Sequence, residues 1–203
     1  MAIHIHNYDL PRNLDLGKSI AIDTETMGLN PHRDRLCLVQ LSSGDGDAHL
    51  VKIAHPSADA PHLKALLADP KRGKLFHFAR FDLAVLERNI GPIAGDIYCT
   101  KIASKLARTY TDRHGLRDLC REFLRIDISK QQQSSDWGAD SLSDEQADYA
   151  AGDVLHLHQI RAHLDTMLER EGRRHLAAAC FAFIRTRTEL DLNGFAELDI
   201  FHH

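Results

Sequence analysis

Four carboxylates and one phenol stand out in this 203-residue chain because of their types and spacing. IAIDTET contains Asp23 and Glu25, HFARFDLAVL contains Asp82, and YAAGDVLHL contains Tyr149 and Asp153. Carboxylates that share a partly buried site must raise one another's pKa or be neutralised by a cation. Because all four acidic side chains offer oxygen atoms, the pattern favours Mg²⁺ or Mn²⁺ over zinc. Two such ions, about 3.5–4 Å apart, can activate a water molecule and stabilise the leaving oxygen of a phosphodiester.

The flanking sequence predicts how these groups are positioned. The apolar run over residues 19–22 predicts a buried strand that leads into Asp23. Residues two apart on a strand project from the same face, so Asp23 and Glu25 aim at one point. Tyr149 and Asp153 are four apart in a segment with helical signals, which places them one turn apart on a single helix face.

Other patterns predict the surrounding elements. Strands are expected from residue 19, over 35–43 and over 48–53 as an antiparallel meander, and then over 74–78 and at 96–97. Helices are expected over 59–68, 79–89 with Asp82 in its first turn, 100–107, 116–124, 143–169 and 173–193. Ser143 and Gln146 form a capping-box signature at the start of the helix that carries Tyr149. Strands first and helices later predict an α/β fold with a mixed sheet covered by helices.

The motifs DTET, FARFD and YAAGD resemble, in this order, the three exonuclease motifs of the DEDD superfamily. The histidine branch of that superfamily carries its histidine five residues before the last aspartate, where this chain has Asp148. Tyr149 lies four residues before Asp153, so the chain resembles the tyrosine (DEDDy) branch. GLRDL, KQQQSSDW and LSDEQADYAAGDV extend the similarity to ribonuclease D over residues 18–158.

The resemblance implies a ribonuclease H-like exonuclease fold, with a mixed central sheet and helices on both faces. We expect one catalytic domain over residues 1–203, with a core over about 18–170 and a C-terminal helix over about 173–192. Only 50 residues follow Asp153, too few for the helical HRDC domains of full-length ribonuclease D. The chain therefore resembles the short stand-alone members called nanoRNase C (NrnC).

This resemblance implies a 3′-to-5′ exoribonuclease that degrades nanoRNA, including dinucleotides, to nucleoside 5′-monophosphates. It also implies two divalent cations, Mg²⁺ or Mn²⁺, and a ring-shaped homo-oligomer, an octamer. The apolar segment over residues 176–184 is either core or a subunit interface. Ribonuclease D-like processing of longer RNA, a DNA exonuclease, and an inactive nucleic-acid-binding protein remain alternatives.

The resemblance also assigns roles to the five central residues. Asp23, Glu25, Asp82 and Asp153 are expected to be metal ligands, with Asp23 bridging both ions. The Tyr149 hydroxyl is expected to orient the attacking water through hydrogen bonds rather than as a phenolate.

Six further residues near the motifs are candidates for substrate binding. They are Thr24, Leu29, His77, Phe78, Lys130 and Gln133. Leu29 either wedges against the bases or packs its own loop. His77 and Phe78 either contact the terminal nucleoside or pack in the core. Lys130 is expected to meet a phosphate, and Trp137 is expected to anchor the surrounding loop.

Charge and hydropathy limit the function further. The chain has 25 Lys and Arg against 29 Asp and Glu, a net charge of −4, whereas proteins that track long nucleic acids are usually basic. This balance favours short oligonucleotides, with metal ions supplying positive charge locally. No apolar run approaches the ~18 residues of a membrane span, and the acidic N-terminal segment lacks a signal-peptide core. We therefore expect no membrane partner and a cytoplasmic location.

Overall fold

The computed structural model describes residues 2–53, 59–129 and 131–203. In these ranges, one sheet contains six strands in the order β1-β4-β3-β2-β5-β6. The strands are β1 (Ile3–Asn7), β2 (Ser19–Thr26), β3 (Leu36–Ser42), β4 (Ala48–Lys52), β5 (Gly73–Phe76) and β6 (Ile97–Cys99). The predicted antiparallel meander of β2, β3 and β4 is confirmed. β5 runs parallel to β2, and β6 runs parallel to β5, so the sheet is mixed as expected.

The sheet begins before residue 18, the predicted start of the core. β1 pairs in parallel with β4, from Ile3 opposite Ala48 to Asn7 opposite Lys52. β1 is an edge strand with only partly buried or exposed residues, so its sequence lacks the apolar run that marks an inner strand. All seven residues of β3 are buried, in contrast.

Seven α-helices and two π-helical turns account for the helical part of the described chain. The helices are α1 (Pro61–Ala68), α2 (Ala79–Asn89), α3 (Thr100–Ala107), α4 (Leu116–Leu119), α5 (Asp144–Leu155), α6 (Leu157–Arg170) and α7 (Arg174–Leu190). The π-helical turns follow α4 and α7, over Cys120–Leu124 and Asp191–Phe195.

Helices cover both faces of the sheet, as predicted. Ile20 and Ile22 of β2 pack in one core with α1 and α2. Ala21, between them, faces the other way and packs in a second core with α3, α5 and α6. This division follows from the two-residue period of a strand. α7 contributes to both cores through Ala177 and Ile184.

The predicted capping box begins α5, but the helix ends sooner than expected. Ser143 Oγ accepts from the Gln146 backbone N–H, and Gln146 Oε1 accepts from the Ser143 N–H. The single helix predicted to residue 169 is wrong, because His156 has φ −102° and ψ −5° and separates α5 from α6. The break allows α6 to run over the sheet in a different direction from α5. There, His158 Nε2 lies 2.9 Å from the Ser19 carbonyl oxygen.

None of the helices in the described part of the chain is long and apolar enough to cross a membrane.

Candidate active site

The C-terminal end of β2 and the last turn of α5 bring three carboxylates together. Asp23 and Glu25 lie on one face of β2, and Asp153 approaches them from α5. One oxygen atom from each of the three lies within 4.8 Å of the other two, an arrangement that can hold a metal ion. A register shift between Glu25 and Thr26 ends the regular pairing of β2 with β3 just beyond these residues.

Asp82 approaches the same strand end from the first turn of α2. Its side chain is only 3% exposed, and its Oδ1 accepts a 2.7 Å hydrogen bond from Thr24 Oγ1. Thr24 points to the opposite face of β2 from Asp23 and Glu25, since it lies between them in the strand. Asp82 therefore lies next to the three-carboxylate cluster, and its charge acts on Asp23 and Glu25.

Burial and mutual repulsion make the charged forms of these acidic groups unfavourable when no cation is present. Burial and the neighbouring carboxylates raise the pKa of Asp23 well above its ordinary value. Burial, then Asp153 and Asp82, raises the pKa of Glu25 to about 9. Burial raises the pKa of Asp82 to about 7, although the Thr24 hydrogen bond opposes this shift. A cation would relieve both the burial cost and the repulsion.

Tyr149 stands one turn before Asp153 on α5, beside the cluster. Its pKa is raised by burial and by the negative charge of Asp153, so the phenol stays protonated at neutral pH and can donate a hydrogen bond. The Trp137 ring lies 5.9 Å from the Tyr149 ring, centroid to centroid. Trp137 is 2% exposed, which fits the predicted role of an anchor for its loop.

A cleft of about 700 Å³ opens in front of the carboxylates. The predicted residues that line it are Asp23, Thr24, Glu25, Leu29, His77, Phe78, Gln133, Tyr149 and Asp153. Asp82 is not among the residues that line the cleft, although its partner Thr24 is, and Lys130 falls outside the described residues. The structure thus brings most of the predicted site residues to one cleft, although they come from distant parts of the chain.

The family of the chain follows from comparison with known proteins. Residues 8–169 match the 3′-5′ exonuclease family, well over half of the chain. The chain belongs to the 3′-5′ exonuclease family. It is 35% identical to ribonuclease D from Gluconacetobacter diazotrophicus over 165 residues, 81% of this chain and 42% of that protein. The exonuclease chain thus spans about two fifths of the length of this curated relative.

Solved structures of related exonucleases agree with the fold. Brucella melitensis NrnC with bound Mg²⁺ is 54% identical over 100% of both chains, with a TM-score of 0.95. Brucella melitensis NrnC bound to pGG is 55% identical over 100% of this chain and 99% of that chain, with a TM-score of 0.96. Escherichia coli ribonuclease D is 28% identical over 84% of this chain and 45% of that chain, with a TM-score of 0.72. The predicted ribonuclease H-like exonuclease fold is confirmed.

The donor set of this exonuclease fits Mg²⁺ or Mn²⁺, as the sequence predicts. The cluster of Asp23, Glu25 and Asp153 offers only carboxylate oxygen atoms, which hard cations prefer. Burial and mutual repulsion raise the pKa values of Asp23 and Glu25, and none of the causes of these shifts is a neighbouring basic side chain.

Two apolar side chains project into the cleft of the exonuclease. Leu29 is 85% exposed, which disagrees with the alternative that it packs its own loop. Phe78 is 45% exposed, so core packing does not describe it either. It joins β5 to α2 with φ 75°, a left-handed conformation that is uncommon outside glycine. Its neighbour His77 is more enclosed, and Nδ1 of that ring lies 2.9 Å from Thr100 Oγ1.

Sequence reasoning missed three polar residues at the site. Gln40 is fully buried on β3 opposite Asp23, and its Nε2 lies 3.3 Å from Asp23 Oδ2. Its signal was a lone amide in the otherwise apolar run LCLVQLS. Lys101 and Arg117 also line the cleft, and Lys101 Nζ lies 4.2 Å from the Phe78 ring centroid. Lys101 lies in the first turn of α3, just after β6, and Arg117 lies within the GLRDL motif, so both had a positional signal.

Proposed function

We propose that this exonuclease is a 3′-to-5′ exoribonuclease that degrades short oligoribonucleotides, including dinucleotides, to nucleoside 5′-monophosphates. The observation that carries the proposal is the convergence of Asp23, Glu25 and Asp153 beside a cleft, with Asp82 and Tyr149 next to them. The full-length similarity to Brucella melitensis NrnC, a protein solved with bound pGG, supports the short substrate.

Four carboxylates would hold two divalent cations in this proposal. Asp23 is suited to a bridging position, because it lies in the cluster and faces the charges of Asp82, Asp153 and Glu25. Gln40 fixes the Asp23 carboxylate from one side, and Thr24 fixes Asp82. When bound, the cations supply an activated water and stabilise the leaving 3′ oxygen.

Tyr149 would orient the water that attacks phosphorus. Its raised pKa keeps the hydroxyl proton in place, so the group acts by hydrogen bonding and not as a base. Packing against the buried Trp137 ring limits how far the Tyr149 ring can move. Such restraint is what a positioning group needs, since small displacements cost large factors in rate.

The cleft suits a short substrate. Its volume of about 700 Å³ falls within the range of small-ligand sites, roughly 300–1,000 Å³. Leu29 and Phe78 would hold base faces without strong sequence preference, because every base offers an apolar face. His77 and Phe78 would contact the terminal nucleoside, Gln133 would bind substrate from its loop, and Lys130 would meet a phosphate.

A product time course on 5′-labelled RNAs of two to about twenty nucleotides with Mg²⁺ tests the proposal. Rapid cleavage of the dinucleotide with poor attack on longer chains is the expected result. Progressive shortening of long RNA with the dinucleotide left over would support ribonuclease D-like processing, and preference for matched DNA would support a DNA exonuclease. Binding without product would support the inactive alternative. Asp153→Asn should abolish turnover, whereas the exposed Asp148→Asn one residue before Tyr149 serves as the matched control.

We further propose that the protein forms a homo-oligomer, an octameric ring by resemblance, and acts in the cytoplasm, where RNA fragments arise. α7 and the C-terminal tail support the oligomer, because they present several large apolar side chains to solvent: Leu176, Phe183, Phe195, Leu198, Ile200 and Phe201. Sedimentation at the mass of one chain, 22.8 kDa, would refute the oligomer. Cell fractionation tests the location.

A further inference from the structure

A second cleft lies at the N-terminal end of the parallel strands, whereas the candidate active site lies at their C-terminal end. β2, β5 and β6 run parallel, and the carboxylates gather at the C-terminal end of β2. The second cleft, about 810 Å³, opens where these three strands begin, at Ser19, Gly73 and Ile97. α6 and α7 supply its other wall through Arg161 and Arg185. Its lining shares no residue with the cleft in front of the carboxylates.

The lining of this second cleft is strongly basic. Its charged residues are Lys18, Lys71, Lys74, Arg161, Arg185 and a single carboxylate, Asp96. The whole chain carries a net charge of −4, so this concentration of cations is opposite in sign to the rest of the protein. A concave surface lined by one sign of charge raises the local concentration of oppositely charged solutes.

Lys74 is the most unusual of these cations. Its side chain is 1% exposed, and its ammonium donates to the carbonyl oxygens of Asp69 at 2.6 Å and Arg72 at 2.9 Å. An ammonium has three donors, and no carboxylate of the described chain lies within ion-pair distance of this one. Burial and the nearby Arg185 lower the Lys74 pKa to about 8, even though Asp69 opposes the shift. Buried charges are normally paired, so Lys74 is suited to a bound anion.

The two arginines of this cleft make only long contacts with carboxylates. Arg185 donates to the carbonyl oxygens of Ile93 and Gly95, and Glu87 lies 4.0 Å away. Arg161 reaches Asp165 at 3.4 Å and Ser19 Oγ at 3.5 Å, both at the outer limit of hydrogen bonding. These long contacts can be exchanged for shorter charge-assisted bonds to an anion at little cost.

The aromatic residues of the cleft indicate which part of a ligand it can bind. The Tyr98 ring is covered by Phe181 on one side, at 4.5 Å between centroids, and by the Arg161 guanidinium, at 4.7 Å. The Tyr98 hydroxyl donates to Asp165 at 2.9 Å. Because Tyr98 is only 8% exposed, its ring offers no open face on which a base could stack, whereas the cleft offers charge and hydrogen-bond donors.

We propose that this basic cleft binds a phosphate dianion, either inorganic phosphate or the 5′-phosphate of a nucleoside monophosphate. Lys74 and Arg185 form the floor, Arg161 turns inward from α6, and Lys18 and Lys71 add charge at the rim. The proposal rests on the geometry of this cleft alone and does not depend on the proposed ribonuclease activity.

To test the proposal, binding of inorganic phosphate, GMP and guanosine to the full chain is measured in EDTA. ³¹P line widths monitor the phosphate ligands, and calorimetry monitors all three. Without divalent ions, the carboxylate cluster repels phosphate. Any phosphate binding that is measured in EDTA is therefore assigned to the basic cleft. The double variant Lys18→Gln/Arg161→Gln should weaken phosphate and GMP at least tenfold. The control Arg12→Gln/Lys64→Gln removes the same charge from exposed positions outside the cleft and should change affinity less than twofold. Asp153→Asn should retain binding.

Different outcomes identify the source of the phosphate or overturn the proposal. GMP and inorganic phosphate with similar affinity would show that the phosphate alone is recognised, and tighter GMP would identify the nucleotide as the ligand. The absence of binding at about 10 mM phosphate would overturn the proposal. A structure of the oligomer in which a neighbouring subunit fills the cleft would also overturn it. Equal binding of guanosine, or equal losses in both double variants, would also overturn it. Lys74→Met provides a second floor variant, since it keeps the shape of the buried chain and removes the charge.

Discussion

Replacing Asp153 by Asn should stabilise the metal-free protein and destabilise its metal-loaded form relative to the parent. One oxygen from each of Asp23, Glu25 and Asp153 lies within 4.8 Å of the others, where two unit charges repel by about 3.5 kcal/mol at an effective dielectric of 20. The substitution removes two of these three repulsions. Because a pKa of about 9 leaves Glu25 largely protonated at pH 8, only part of that energy is present. We expect a net gain of about 1–3 kcal/mol in EDTA.

Urea unfolding at pH 8, in EDTA and in millimolar Mg²⁺, measures this effect. Mg²⁺ should raise the unfolding free energy of the parent by up to about 3 kcal/mol at a hundredfold excess over its dissociation constant. Asp153→Asn should gain much less, because it lacks a ligand, so the order of stability reverses between the two buffers. Asp148→Asn is the matched control on the same helix, since residue 148 is exposed and outside the cluster.

The pH dependence provides a second check on the same reasoning. Glu25 has a higher pKa in the folded protein than in the unfolded chain, so the folded state binds more protons between about pH 4.5 and pH 9. The unfolding free energy in EDTA should therefore fall as pH rises through this window, and fall less in Asp153→Asn. A variant that is less stable than the parent in EDTA, or that gains as much from Mg²⁺, would refute the electrostatic account.

Three further substitutions separate catalysis, substrate binding and stability. Tyr149→Phe should lower kcat on a dinucleotide by about a hundredfold with an unchanged KM, since it removes only the positioning hydroxyl; a kcat within threefold of the parent would contradict that role. Leu29→Ala should leave the urea midpoint unchanged, because the residue is 85% exposed, and should raise KM about fivefold, corresponding to about 1 kcal/mol of lost base contact. Equal KM values would show that Leu29 does not touch substrate. Asp191→Asn should destabilise the protein by about 3 kcal/mol in urea unfolding, because Arg80 and Arg187 both pair with this buried carboxylate. A loss under 1 kcal/mol would mean that the pairs are replaced by water.

Strong local periodicity made most of the fold predictable. The inner strands are apolar runs, and the bounds of α2 and α3 match the predicted segments at both ends. β1 escaped prediction as a sheet element because it is an edge strand that pairs in parallel with β4, more than 40 residues away in the chain. The break at His156 also left no local signal, since no glycine or proline marks it. It lies where α6 must leave the line of α5 to pack over the sheet.

The candidate site was predictable where spacing alone fixes direction. The two-residue period of β2 puts Asp23 and Glu25 on one face, and the four-residue spacing on α5 does the same for Tyr149 and Asp153. The meeting of Asp153 with the β2 pair was expected from the order of the motifs, not from these periods. The hydrogen bond from Thr24 to Asp82 depends on the approach of α2 to the strand, which no local pattern specifies. Gln40 contacts Asp23 only because of the register between β2 and β3, so tertiary structure had to reveal it.

The crowding of acidic groups makes metal loading an exchange of cations for protons. At neutral pH, the pKa of about 9 keeps a proton on Glu25, and the raised pKa of Asp82, about 7, lets that carboxylate hold a second proton. Both protons must leave before the carboxylates can serve as ligands, so the apparent metal affinity rises up to tenfold per pH unit for each proton released. A rise of hydrolysis rate with pH at limiting Mg²⁺ would then report occupancy of the site rather than the bond-breaking step, and saturating Mg²⁺ would flatten it.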